Sequence, residues 1–340
     1  MIKFIGKKNI SKSRIQELLT FSEKTNTYTN NGPVKKLLEE KLEILLNLDS
    51  KKVVCCSNGT AALHSIMFLC EKKYNTKKWV TPAFTFPSAV VGTMFDVDIL
   101  DIDSSTATLP MDADLLAPYD GIIITNLFGT YVDLVAWEKF CNKHHKILVF
   151  DNASSPLSNC DGINICNFGD FSFGSLHHTK YLGFGEGGFA VIDPEDYEIL
   201  LQITTFGYNK QKKYNSASSN FKMSDVSAAY ILSQIENYDL ERHQQIQLGF
   251  AEALNDKKFE KAFNYKQGTV LGNFPIVGLK KIDNNILSHQ TGVEIFKYYR
   301  PLKYLEHTEE LYSKMINLPL YSTMKDEEVD IIITSIKECF

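Results

Sequence analysis

Between Lys52 and Asp193 the chain alternates short apolar runs with amphipathic stretches. The runs KVVCCS (52–57), KWVTP (78–82), VDILDID (97–103), GIIITNLFG (121–129), KILVFD (146–151), DFSFGS (170–175) and GFAVID (188–193) are too apolar for strands with one wet face. Strands of that kind are buried on both sides, so they predict a mostly parallel sheet covered by helices. GTAALHSIMFLCEKK (59–73) and DLVAWEKFCNKHHK (133–146) carry apolar residues at helical spacing and supply such cover. Ahead of the sheet, the polar turn TNTYTNNGP (25–33) separates two predicted helices, the second over VKKLLEEKLEILLNL (34–48). From Ser224 the helices lengthen, with a polar break at Asn237-Tyr238-Asp239. The remainder reads as a smaller mixed segment ending in the helix DEEVDIIITSIKECF (326–340). The expected architecture is a large α/β domain over residues 1–238, with a seven-stranded sheet, and a small C-terminal α/β domain over 239–340.

Composition acts by exclusion. Of 340 residues, 44% are apolar and 23% charged, the balance of a globular protein with a large core. A net charge of −5, with no basic tract beyond pairs such as Lys212–Lys213, argues against nucleic acid as a partner. No apolar run approaches the ~20 residues that span a bilayer. The opening MIKFIGKKNISKSRIQ lacks a signal-peptide core, so neither a membrane nor export is expected. Seven cysteines, an odd number that includes the adjacent Cys55–Cys56, make no disulfide framework and point to a reducing cytoplasm.

Candidate chemistry begins with HHTKYLGFGEGGFAVID (177–193), where Gly183, Gly185 and Gly188 have G-x-G-x-x-G spacing. A dinucleotide loop needs a helix after its glycines, because the pyrophosphate rests on that helix's N-terminus. Here a strand-like run follows, so the dinucleotide reading fails, and the glycines are expected to form a flexible seat beside Lys180. An anion site fits better at SNGTAALH (57–64), where an apolar run ends and a helix begins. The first helical turn has unpaired N–H groups, Gly59 admits a close approach, and Ser57 or Thr60 can add a hydroxyl; a ligand-free capped helix is the plainer alternative. Asp151 closes KILVFD, where a carboxylate either faces the ligand crevice of a parallel sheet or caps the next turn. Together, a helix-start anion site, a strand-end carboxylate and an isolated lysine suit pyridoxal phosphate. That cofactor needs a phosphate site, a partner for its pyridine nitrogen and a lysine for its aldehyde. His177 and His178, with His144, His145, Cys160 and Cys166, match no zinc spacing, so no metal is expected.

These residues resemble the DegT/DnrJ/StrS family of nucleotide-sugar aminotransferases, which have the type I PLP-dependent (aspartate aminotransferase) fold. The likeness runs through YTNNGPVKKLLEEKL (28–42), SNGTAALH, TPAFTFPSAV (81–90), FDNASS (150–155), SNFKMSDVSAAYILSQIE (219–236) and LPLYSTMKDEEVDIII (318–333). Its most specific part is GDFSFGSLHHTKYLGFGEGGFAV (169–191), with a serine five residues before the lysine and GEGG after it. The resemblance implies that Lys180 forms the Schiff base and Asp151 pairs with the ring nitrogen. Phe86 would stack on the ring, Ser154 would lie beside the cofactor, and Ser175 with the backbone of Gly59, Thr60 and Ala61 would hold the phosphate. Asn220 would reach the phosphate of a partner subunit, making a homodimer with composite sites. His177 and Tyr181 are the substrate candidates; Tyr208, Tyr214 and Tyr299 either contact a nucleotide or are ordinary surface and core tyrosines.

The implied reaction moves the amino group of L-glutamate to a 4-keto-6-deoxy sugar on dTDP or UDP, giving the 4-amino sugar, with amination at C3 the main variation. Three positions depart from the family pattern: Ser154 stands where Gln or His is usual, Lys222 where arginine is usual, and His178 where a small residue or proline is common. Two rival readings remain. Related sugar dehydratases often carry histidine in place of the lysine, against which Lys180 speaks, with His178 nearby. A cofactor-binding relative without catalysis has no physical need for both Lys180 and Asp151.

Overall fold

A computed structural model describes residues 1–92, 94–208, 216–255, 259–260 and 266–339. The polar turn lies between α1 (Lys12–Thr25) and α2 (Pro33–Leu45). Asn26, in the left-handed conformation, closes α1, and Pro33 opens α2 with its φ already suited to a helix. Next come β1 (Lys52–Cys56), α3 (Gly59–Tyr74), β2 (Lys78–Pro82), β3 (Asp96–Leu100) and the short α4 (Ala113–Leu116). The chain continues through β4 (Gly121–Thr125), α5 (Leu134–Lys143) and β5 (Ile147–Asp151). A small hairpin, β6 (Asn159–Cys160) and β7 (Ile163–Asn164), precedes β8 (Phe171–Ser175) and β9 (Gly188–Ile192).

All seven apolar runs form strands of one sheet, in the order β1-β9-β8-β5-β4-β2-β3. The β2–β3, β2–β4, β4–β5 and β5–β8 pairs are parallel, whereas β9 runs antiparallel to both β8 and β1. The reversal follows from the connection: residues 176–187 contain no helix to carry the chain back across the sheet. Lys180 sits on that connection. Register then aligns the strand ends, since Cys56 and Ser175 both pair with Gly188, Asp151 with Phe173, and Thr125 with Asp151. They make one rim, at the carboxyl ends where open α/β sheets bind ligands.

Helices cover both faces. α3 packs Leu63, Ile66 and Phe68 on one side with α6 (Tyr197–Thr204), while α1, α2 and α7 (Asp225–Glu236) cover the other. The polar break at 237–239 separates α7 from α8 (Leu240–Ala253), and Asp239 caps α8 by accepting the Arg242 N–H. A second unit holds β10 (Phe259–Glu260), β11 (Phe274–Gly278), α9 (Asn284–Thr291), α10 (Glu306–Lys314), β12 (Met315–Leu318) and α11 (Asp326–Cys339). Its antiparallel sheet, β10-β11-β12, shares a core of Phe274, Ile316, Ile332 and Ile336 with Phe250 of α8. The first residues of the chain pack here as well: Ile2 bridges to Val293, and the Phe4 ring lies 4.7 Å from Phe296. Phe84, Leu127 and Phe128 meet Val277, Tyr299 and Met315 in a cluster joining the two cores. Among the described residues, no helix is long and apolar enough to cross a membrane.

Candidate active site

Asp151 ends β5 at 2% exposure. One carboxylate oxygen accepts the Ala153 N–H at 2.9 Å, and the other takes the Thr125 hydroxyl at a long 3.5 Å. The Thr125 hydroxyl is itself 2.5 Å from that of Thr85. Below them, Asn126 fixes the rim, donating its N–H to the Asp151 carbonyl at 3.0 Å and its Nδ2 to Asn152 at 2.7 Å. Desolvation pushes the Asp151 carboxyl up to about 6 against three opposing effects: the Ala153 N–H, the charge of Lys180 and the Thr125 hydroxyl. Among the described residues its hydrogen-bond donors are neutral. A buried carboxylate supplied only by neutral donors suits a cationic N–H.

Lys180 occupies a tight turn. Its N–H donates to the His177 carbonyl at 2.8 Å, and its own carbonyl accepts the Gly183 N–H at 2.9 Å. Desolvation lowers the Lys180 pKa, and the charge of Asp151 acts against that shift. The two groups predicted to carry the chemistry therefore lie within electrostatic reach of each other, each biased toward its neutral form. A lowered amine pKa is what a nucleophile or proton carrier needs near neutral pH.

The glycines around Lys180 are not the flexible seat expected of them. A Cβ on Gly183 would stand 2.1 Å from the His177 carbonyl oxygen, and one on Gly188 would stand 2.3 Å from the Asn58 backbone. Gly187 is closed in by Ile231 and Met223, and only Gly185, with φ +62°, has open space. These residues let the loop pack against α3 and α7, which makes it compact.

At the anion end, α3 starts as predicted. Asn58 is the N-cap, its Oδ1 accepting the Ala61 N–H at 2.8 Å. That engages the Ala61 N–H and leaves the Gly59 and Thr60 groups of the first turn for a ligand. Gly59 abuts Ser175, where an added Cβ would come within 3.3 Å of the serine Cβ. Phe86 is 53% exposed and edge-on to Tyr299 at 6.3 Å. Asn220 is exposed on a segment that runs beside the end of β1, where Lys222 bridges to Cys56. Lys222 donates to the Asn220 Oδ1 at 2.6 Å and lies 4.2 Å over the Phe206 ring.

The remaining candidates divide. The Ser154 hydroxyl is 2.7 Å from that of Tyr299, which brings the second unit into contact with the rim. His177 makes a turn contact, its Nδ1 2.9 Å from the Thr179 hydroxyl, and its Nε2 lies 3.5 Å from Glu186. His178 is exposed and edge-on to Phe184. Tyr181 is buried between Tyr238 and His243 with its hydroxyl 2.6 Å from Ser155, so ring and hydroxyl are both engaged inside the protein. Tyr208 is exposed; Tyr214 and the Lys212–Lys213 pair lie outside the described residues. Sequence reasoning missed Thr85, Thr125 and the Asn126–Asn152 pair. Thr125 carries the same signal as Asp151, a polar residue closing an apolar strand.

The sequence matches the profile of the DegT/DnrJ/EryC1/StrS aminotransferase family over residues 9–274. It is 24% identical to a dTDP-4-amino-4,6-dideoxy-D-glucose transaminase of Shigella dysenteriae, over 92% of this chain and 91% of that one. It is also 24% identical to the 3-oxo-glucose-6-phosphate:glutamate aminotransferase of Bacillus subtilis, over 90% of this chain and 75% of the relative. The fold is similar to that of the Spr1654 protein of Streptococcus pneumoniae in its PMP form, with a TM-score of 0.83 at 21% identity over 98% of each chain.

Proposed function

The chain belongs to the DegT/DnrJ/EryC1/StrS aminotransferase family, and we propose that it transfers the amino group of L-glutamate to C4 of a nucleotide-linked 4-keto-6-deoxy sugar. Pyridoxal phosphate is the cofactor that the family indicates, on a type I fold. One observation carries the reading: a buried carboxylate with no cationic donor among the described residues and a desolvated lysine amine share one sheet rim. The residues present fit the cofactor. Asp151 would accept the ring N–H, and the positive charge beside it would draw its carboxyl back down from about 6. The Gly59 and Thr60 N–H groups and the Ser175 hydroxyl would hold the phosphate, and Phe86 would cover the ring.

When bound, pyridoxal phosphate supplies an electron-withdrawing ring. Lys180, more readily neutral than an exposed lysine, would take the Cα proton of the amino donor and later deliver a proton to the sugar carbon that gains nitrogen. Asp151 would hold its charge against the ring nitrogen throughout. The compact loop would keep Lys180 at the rim and limit the water around it.

The name of the Shigella relative supports a nucleotide sugar aminated at C4, with dTDP as the nucleotide. That of the Bacillus relative supports glutamate as donor and favours, as a second reading, a 3-keto acceptor. We place Asn220 at the phosphate of a second copy of the chain, because its side chain is exposed and oriented by Lys222. The test is the visible spectrum of the purified protein before and after L-glutamate, followed by addition of 4-keto and 3-keto nucleotide sugars. We expect a yellow protein that bleaches with glutamate and recovers its band with the 4-keto acceptor. Recovery with the 3-keto acceptor alone would move the reaction to C3. A protein that stays colourless with pyridoxal phosphate would overturn the assignment.

A further inference from the structure

A second lysine touches the Lys180 turn. Lys8 Nζ donates to the Lys180 carbonyl oxygen at 2.6 Å, the same oxygen that takes the Gly183 N–H. Burial lowers the Lys8 pKa to about 8, and no carboxylate among the described residues contributes to the shift. An ammonium partly withdrawn from water onto a main-chain carbonyl is a costly placement. The next residue repeats the contact through a relay. Asn9 donates its N–H to Gln234 Oε1 at 3.0 Å, and Gln234 Nε2 donates to the Tyr181 carbonyl at 3.0 Å. Consecutive carbonyls of the turn, at 180 and 181, are thus held by consecutive residues of the N-terminal segment.

The other end of that segment is fastened to the second unit. Ile2 bridges to Val293 and Phe4 donates its N–H to Glu294 at 3.0 Å. Gly6 lies so close to the Tyr321 ring that a Cβ would meet it at 2.4 Å. The cleft left between this strap, Tyr181, Gln234 and Tyr321 is about 40 Å³, room for a few waters and too small for a substrate. Lys8 is therefore engaged with the turn and has no room there for a substrate.

We propose that Lys8 is a positioning residue. It fixes the backbone from which Lys180 projects, and through residues 2–9 it ties that turn to the second unit. The catalytic consequence rests on the aminotransferase reading; the mechanical one does not.

The test compares the purified protein with Lys8→Met and Lys8→Arg, reading amide hydrogen exchange across residues 177–184 alongside steady-state kinetics. In Lys8→Met, Gly183 should exchange about tenfold faster, the scale of one lost hydrogen bond, with the global unfolding midpoint unchanged. Lys8→Arg should restore the slow exchange. With L-glutamate and the keto-sugar acceptor that restores the band, kcat should fall in Lys8→Met at constant KM and recover in Lys8→Arg. Lys8→Gln, neutral and shorter, should loosen the turn as methionine does, and serves if the methionine variant folds poorly. Exchange at Gly183 that is unchanged in both neutral variants, or equally fast in the arginine variant, would overturn the proposal. Absence of a cofactor band would defeat the aminotransferase reading alone, because the exchange comparison still decides the strap.

Discussion

Asp225 and Asp151 are both buried, at 0% and 2% exposure, and their surroundings are opposite. Asp225 stands in the first turn of α7 and reaches the start of α2. There it accepts the Val34 N–H at 3.1 Å, the Lys35 N–H at 3.0 Å and the Ser22 hydroxyl at 2.6 Å. A carboxylate at a helix N-terminus meets unpaired N–H groups and the positive end of the dipole, and this one joins three helices. Gly32 makes the approach possible, since a Cβ there would come within 2.4 Å of the carboxylate. Asp151 has one good N–H bond and one long hydroxyl contact. The fold saturates the aspartate that holds it together. It leaves the other under-supplied, and that unused capacity is what a ligand can occupy.

The contrast can be broken from either side. Lys180→Ala removes the one cation among the described residues whose charge acts on Asp151, and should lower kcat by roughly 10³-fold or more. The unfolding midpoint should hold or rise, because a desolvated amine has been removed; kinetics beside urea denaturation checks both. Asp225→Ala should do the reverse. Orphaning two N–H groups at the start of α2 should cost about 4 kcal/mol in urea denaturation, with kcat of the folded fraction unchanged.

The smallest effect sharpens the comparison. The Asp151 carboxyl is raised in the folded chain from 3.8 to about 6, so folding tightens its hold on a proton. Its contribution to stability is complete below about pH 4 and is lost as pH rises through about 6. Without pyridoxal phosphate, the native protein should therefore lose on the order of 3 kcal/mol over that window relative to Asp151→Asn. Stability curves for both proteins from pH 4 to 8 measure this, and a difference that stays flat would mean that the carboxyl is not desolvated. Added cofactor should shrink the gap above pH 6, where the charged carboxylate would have its partner.

Much of this was legible along the chain. The seven strands could be read because burial on both faces makes each an unbroken apolar run, and the break before α8 because Asp239 is a capping residue type. Asp151 and Lys180 were legible as reactive residue types at a strand end and in a loop. Thr125 carried an equal signal and was passed over. Tyr299 could be read only as a nucleotide contact or an ordinary tyrosine, and Lys8 carried no signal, since each meets the site across more than a hundred residues of intervening chain. The role of the glycines was misread because a permissive backbone and a tightly packed one have the same sequence.

The sequence by itself determined which elements form and which residues bear chemistry, because periodicity, caps and functional groups are local properties. Only the tertiary structure decided that the ends of β1, β8, β5 and β4 share one rim. It alone decided that Asp151 is short of partners while Asp225 is saturated, and that the strap at residues 2–9 holds the Lys180 turn. Register, desolvation and long-range hydrogen bonds depend on residues far apart in the chain, and those contacts exist only once the chain has folded.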